Sequence, residues 1–295
     1  MILIEAVFPI ALVALSGVWV GRQFPLDLKT LARLNIYVLL PALVLTGVYG
    51  SDLPLGIAVR IVVGFLLNCA VLYGVAIAAA HQFHFPSDTR KGLIATTLLG
   101  NTGNIGLPFV LFSLGEAGLS RAIVYLITSA LFITTVGPIF LKGAGIKSGL
   151  KVSFKLPVLW ATLGGIALQS LALQVPLPID RALTLLSDAA IPIALLTLGI
   201  QLSLIQFKIG WYECFAAFLR LVVSPLSAYI IGRLLGLEGL DLAVLVLQSA
   251  MPVAVNTLIW VTEFGGDTAR VARTIVLSTL LSFASLPTVL WLVSQ

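Results

Sequence analysis

Long apolar runs separated by short charged loops limit what this chain can become. Ten such segments span approximately 4–21, 31–50, 56–80, 90–115, 119–141, 156–174, 180–203, 214–236, 241–264 and 269–293. A helix that crosses a bilayer takes about 20 apolar residues, so each segment is long enough for one crossing. The runs are continuously apolar, which excludes an outer-membrane barrel, whose strands alternate polar and apolar residues. Only 10% of the residues are charged and 59% are hydrophobic, with a mean hydropathy of +1.11. A water-soluble domain carries roughly 25% charge. Too little polar surface remains to cover a globule, and disorder, a coiled coil and a secreted disulfide scaffold fail on the same ground. The expectation is an all-α polytopic membrane protein with ten transmembrane helices. Cys69 and Cys214 both sit in apolar runs and read as small core residues rather than a disulfide or metal pair. The N-terminal Met1, Ile2, Leu3, Ile4 and Glu5 carry no basic residue, so no cleaved signal peptide is expected.

The net charge of +5 bears on orientation rather than on nucleic acid, for which no role is expected. Odd-numbered loops hold Arg22, Lys29, Arg33, Arg90, Lys91, Lys142, Lys147, Lys151, Lys155, Lys208, Arg270 and Arg273, which is 12 basic residues. Even-numbered loops and their flanks hold Arg60, Arg121, Arg181 and Arg233, which is 4. Basic residues concentrate in cytoplasmic loops, which places both termini outside the cytoplasm in a multi-pass protein of the cell's inner (plasma) membrane. The longest loop, 142–155, carries four of those lysines and no acid, and marks the midpoint.

The halves on either side, 1–145 and 146–295, resemble each other. Residues 37–46, with Pro41 and Thr46, align without a gap with 188–197, with Pro192 and Thr197. Arg60, Ile61, Val62 and Val63 match Arg220, Leu221, Val222 and Val223. Gly115 with Pro138 echoes Gly265 with Pro287. The repeat is five spans, an odd number, so the second copy must be inverted in the membrane, as in many secondary transporters.

Two segments cannot be regular helices. The fourth contains Gly100, Asn101, Thr102, Gly103, Asn104, Ile105, Gly106, Leu107 and Pro108. Glycine weakens a helix by about 1 kcal/mol and proline by about 3, and proline also removes a donor and clashes one turn back. The ninth, at the matching place in the second half, contains Gln248, Ser249, Ala250, Met251, Pro252, Val253, Ala254, Val255, Asn256 and Thr257. Unwound backbone is tolerated in lipid only where protein or a water-filled cavity satisfies it. Interrupted segments at matching positions of two repeats point to a transport site. Ordinary proline kinks, with amides tying helices together, are the alternative.

The chemistry of such a site follows from its parts. A broken helix presents a half-helix N-terminus with free N–H groups and the positive end of the dipole. No acid lies in either break. Asparagine can donate to a carboxylate without the desolvation cost of a buried cation. The expected ligand is a small organic anion, with Asn101, Asn104 and Asn256 as donors, Thr102 and Thr257 beside them, and Gly103, Gly106, Pro108 and Pro252 breaking the helices. Asp188 is the clearest acid within a span and either carries a proton or sits at a wet helix end. Thr128, Ser129, Gln248, Ser278 and Thr279 are candidates for a cation site, or simply bond their own backbone. Arg220, matched to Arg60 and preceded by the amphipathic stretch 206–213, reads as an interfacial residue whose charge reaches toward water. His81 and His84 read as solvated loop residues. No Walker or Rossmann glycine pattern, His-Glu-x-x-His or Cys-x-x-Cys occurs, and no enzyme activity or cofactor is expected.

The fourth-span stretch from Gly100 to Pro108 resembles a motif of the auxin efflux carrier family. Met251 to Thr257, Gly265 with Asp267, Ser278 to Ser282, and Leu286 with Pro287 resemble the ninth and tenth spans of its bacterial members, and 188–202 resembles the seventh. The resemblance covers the whole chain. It implies the fold of the bile acid/sodium symporter superfamily: ten helices, an inverted five-plus-five repeat, and helices 4 and 9 crossing at their prolines near the midplane. Helices 1, 2, 6 and 7 would form a scaffold, and 3–5 and 8–10 a transport domain moving as an elevator. Family members carry organic anions: plant relatives export auxin and bacterial ones are linked to malonate and malate. Plant carriers have a long loop between spans five and six, which is short here. Sodium-coupled relatives carry an acid in the ninth span, where this chain has Gln248 and Ser249.

The expected function is secondary transport of an auxin-, malonate- or malate-like carboxylate by alternating access, in a lipid bilayer, with a homodimer compatible with the reading. Two alternatives stand beside it: a sodium- or proton-coupled symporter using Asp188 or the hydroxyls, and a membrane sensor that binds the anion without moving it.

Overall fold

The computed structural model describes residues 7–142, 153–203 and 209–295. The midpoint between 145 and 146, Lys147, Lys151 and Lys208, the start of the stretch 206–213, and the N-terminal residues 1–6 lie outside the described residues. All the named elements among the described residues are helices. In chain order they are α1 (Phe8–Gln23), α2 (Leu28–Tyr49), α3 (Leu55–Gln82), α4 (Ser87–Leu98), α5 (Leu107–Lys142), α6 (Pro157–Ser170), α7 (Leu177–Ser203), α8 (Trp211–Leu234), α9 (Gly239–Ser249), α10 (Thr257–Phe264) and α11 (Thr268–Val293). Among the described residues, six continuous helical stretches are long and apolar enough to cross a membrane: α2, α3, residues 102–135, α7, α8 and α11.

The ends of these helices follow from their sequences. Asp27 caps α2, its carboxylate accepting from the Lys29 N–H at 3.0 Å and from the Thr30 hydroxyl at 2.6 Å. Asp267 does the same for α11 through the Arg270 N–H at 3.0 Å. Pro54, Pro86 and Pro157 stand at or just before helix starts, where a missing N–H costs nothing. Gly265 ends α10 in the left-handed region, with φ at 75°. Three π-helical turns among the named elements of the described residues, Asn35–Leu39, Thr102–Gly106 and Leu219–Val223, each end two residues before a proline: Pro41, Pro108 and Pro225. A proline ring clashes with the carbonyl four residues back, and widening the turn by one residue relieves the clash. Gly115, with φ at 69°, bends α5 and separates its first turns from the rest.

Packing divides the helices into two groups. α1 lies along α7, and α2 packs on α6 and α7. α3, α4, α5, α8, α9, α10 and α11 pack among themselves. The groups meet where the π-turn Thr102–Gly106 touches α7 and where α5 touches α2 and α6. In the first group the helices touch backbone to backbone: a Cβ added at Gly17 would strike the Leu196 carbonyl, and one at Gly199 the Ala14 carbonyl. Such contacts suit lipid, where apolar side chains gain nothing from leaving their solvent. The outer surface is apolar, with Leu12, Leu15, Trp19, Leu163, Leu226, Ile230 and Leu234 all exposed, as a bilayer-embedded chain requires. Cys69 is buried, whereas Cys214 is exposed, which corrects its reading as a core residue: α8 turns that face outward.

Candidate functional site

The two interrupted segments meet. α4 ends at Leu98, and the chain runs extended through Leu99 and Gly100 before the turn that leads into α5. α9 ends at Ser249, and the chain runs irregularly to α10. Gly100 pairs with Val253 in an antiparallel bridge. The Asn101 N–H donates to the Pro252 carbonyl at 2.7 Å, and the Ala254 N–H to the Leu99 carbonyl at 2.9 Å. Each break therefore supplies the hydrogen bonds the other has lost, which is what makes two unwound stretches tolerable away from water.

Asn101 organises the first break. It is 5% exposed and caps the turn that follows, its Oδ1 accepting from the Asn104 N–H at 3.2 Å. Its carbonyl accepts from the Gly106 N–H at 3.0 Å, the wide hydrogen bond of the π-turn. Its Nδ2 is buried without a protein partner. Thr102 is buried, with its hydroxyl 3.2 Å from that of Ser129, which in turn donates to the Leu126 carbonyl at 2.8 Å. Gly103 and Asn104 are half-buried, and Pro108 and Pro252 are buried. A Cβ at Gly106 would occupy the place of the Gln248 side-chain amide. Gln248 is fully buried, and neither atom of its amide has a protein partner.

The second break leans on its neighbours. The Val253 N–H donates to the Ser278 hydroxyl at 3.1 Å. Ser249, at the end of α9, lies in a buried polar network: its hydroxyl is 3.0 Å from that of Tyr125 and accepts from the Asn68 amide at 3.3 Å. The Ser224 hydroxyl donates to its carbonyl at 2.7 Å. Thr257 is fully buried with its hydroxyl unpartnered, whereas Asn256 is exposed and makes no side-chain capping bond. Thr128 and Thr279 bond carbonyls of their own helices, at 2.8 Å to Val124 and to Ile275.

Arg220 corrects a sequence expectation. It is 2% exposed rather than interfacial. Its Nε donates to the Met251 carbonyl at 2.7 Å, and its Nη1 to the carbonyls of Thr97 at 3.0 Å and Leu98 at 3.5 Å. α8 begins at Trp211, so Arg220 stands well inside the helix, in the π-turn ahead of Pro225. A Cβ at Gly100 would collide with its guanidinium, so that glycine is what admits the arginine. Asn68, Tyr125 and Ser224 carried no motif that singled them out, and Arg220 stood out only through its match to Arg60.

Asp188 lies elsewhere, on the exposed side of α7. With Glu116, Ser120, Thr46 and Ser187 it lines a cavity of about 570 Å³ between α2, α5 and α7. The Thr46 hydroxyl donates to that of Ser187 at 3.1 Å. Glu213, the buried acid at the start of α8, is paired with Arg273 at 3.4 Å. Among the described residues no group of three or more His, Cys, Asp or Glu could hold a metal ion.

A family profile described as membrane transport protein matches residues 2–149 and 145–292. An uncharacterized transporter of Methanocaldococcus jannaschii is 33% identical over 233 residues, 76% of this chain and 75% of that protein. One from Methanothermobacter thermautotrophicus is 31% identical over 270 residues, 90% of this chain and 88% of the relative. A protein of Rhizobium meliloti named as a candidate malonate transporter is 29% identical over 211 residues, covering 66% and 64% of the two. With these matches extending over both halves and both breaks, the chain belongs to this family of membrane transport proteins, that of the auxin efflux carriers.

Proposed function

We propose that the chain is a secondary transporter of a small organic carboxylate, working by elevator-type alternating access at the junction of the two breaks. In this reading the chain crosses the membrane ten times as an inverted five-plus-five repeat. The segments broken at 99–101 and 250–256 are its helices 4 and 9, crossing near the midplane. α1, α2, α6 and α7 form the scaffold, and the remaining helices carry the substrate past it. The observation that carries the reading is the hydrogen-bonded pairing of the two breaks beside buried, unpartnered amides and a hydroxyl: Asn101, Gln248 and Thr257. Buried polar groups are almost always satisfied, and each one left alone costs about 1–3 kcal/mol. A polar ligand with both donors and acceptors answers all three, and a carboxylate answers the donors of Asn101 and Gln248 best. The relative named for malonate supports this substrate class.

The test is flux in proteoliposomes with indole-3-acetate, malonate and malate, against a neutral analogue of each. Saturable flux of an acid and none of its neutral analogue is the expected result. Absence of flux with saturable binding would turn the reading to a sensor.

A second reading, coupling to a proton or sodium, draws on the cavity that Asp188 shares with Glu116. Two acids at the contact of the two helix groups can release or take up a cation as the groups move. Flux that needs no sodium and no pH gradient, and is unchanged by Asp188→Asn, removes this reading.

A further inference from the structure

We propose that Arg220 is the specificity-determining residue of the junction: its fixed positive charge, held between the two broken helices, makes the site prefer anions. The inference rests on the transport reading above and goes beyond it in naming where the preference comes from.

Helix ends alone do not supply that preference. The junction gathers two N-termini, at Thr102 and Thr257, and also two C-termini, at Leu98 and Ser249. Each end carries roughly half an elementary charge, positive at N and negative at C, so the four cancel to first order. Arg220 breaks the balance. Its guanidinium donates to Thr97 and Leu98 at the end of α4 and to Met251 just beyond α9, so it lies on the two negative ends. With those ends neutralised, the two positive ends remain, and the junction as a whole holds about one net positive charge.

Among the described residues, nothing else takes up that charge. None of the ion pairs among the described residues includes Arg220. The titratable side chains that act on it are Tyr125 and Cys69, neither of them a carboxylic acid. The other buried charge of this helix, Glu213, has Arg273. A guanidinium stays protonated under all ordinary conditions, so Arg220 cannot shed its charge to relieve its burial. Carbonyls solvate a cation without neutralising it. An anion in the junction completes the arrangement.

The test compares binding of malonate with that of malonamide, its neutral isostere, to purified protein in detergent. Size-exclusion elution and thermal midpoint serve as folding controls. Wild type is expected to bind malonate and to reject malonamide. Arg220→Gln should weaken malonate by about tenfold or more, because a buried charge partner is gone, and leave malonamide unchanged. Arg220→Lys keeps three donors and restores the charge where the buried amine holds its proton, so it should bind malonate more tightly than Arg220→Gln. Gly100→Ala pushes the guanidinium aside but keeps its charge, and should slow flux while retaining the preference.

Undiminished malonate preference in Arg220→Gln overturns the proposal and leaves the transport reading standing. Wild type that binds both compounds alike overturns the carboxylate reading itself, and this proposal with it. If Arg220→Gln does not elute as wild type does, Gly100→Ala decides: retained preference for malonate supports the charge, and its loss overturns it.

Discussion

The two breaks do the same job with different parts. The first is largely self-sufficient. Asn101 caps its own turn, Gly106 closes the wide hydrogen bond, and Pro108 sits at the start of the helix that follows. The second has no cap of its own. Its backbone is held by Ser278 from α11, by the Ser249 network and by the strand-like pairing with Gly100. Asn101 is buried, whereas Asn256, its counterpart in composition, is exposed. Like residues in two similarly broken segments therefore need not carry like loads. The first break is built as a fixed wall, and the second is completed by its surroundings.

That contrast can be broken by mutation. The largest effect is expected from Asn101→Leu, which removes the cap and the unpartnered amide together. Losing the cap alone costs about 1 kcal/mol, and flux should fall at least about tenfold, the change a 1.4 kcal/mol loss produces. Proteoliposome uptake and a denaturation midpoint read both. Ser278→Ala comes next: it strands the buried Val253 N–H, at about 1–3 kcal/mol, and should lower the midpoint and reduce flux several-fold. Ser129→Ala removes one neutral hydroxyl contact with Thr102, worth about 1 kcal/mol, and should shift the midpoint less than Ser278→Ala does. Asn256→Ala is the smallest in stability, within about 0.5 kcal/mol as for other exposed sites. If Asn256 meets the substrate, this variant weakens binding with no change in midpoint. A midpoint shift as large as that of Asn101→Leu would erase the distinction between the breaks.

Sequence made some of this visible and hid the rest, for physical reasons. Glycine, asparagine and proline packed into an apolar run favour an interruption over an ordinary kink, so both breaks and their composition were legible. That they come together was implied by the family resemblance alone; the backbone pairing between them was not legible, because backbone hydrogen bonds leave no mark on residue identity. Arg220 shows the limit most clearly. The matched runs Arg60 to Val63 and Arg220 to Val223 suggested equivalent places, yet Arg60 is exposed and donates to the Gly236 carbonyl at 3.1 Å. What sets Arg220 apart is a trio of carbonyls released by unwinding elsewhere. One local sign was available: Pro225 lies five residues on, and a proline widens the turn before it. Cys214 was misread because an apolar segment in a bilayer has an outside as greasy as its inside.

The backbone contact between α1 and α7 puts neighbouring residues under opposite rules of change. Leu12 and Leu15 face a fluid of hydrocarbon and can be exchanged for nearly any other oily residue. Gly17, two positions on, cannot gain a single carbon without meeting the Leu196 carbonyl, and Gly199 is held in the same way by Ala14. A library of random substitutions selected for function should leave these two positions unchanged while the lipid face around them scrambles. Drift in a descendant of this chain would then be free around the rim of the helix pair and frozen along its seam.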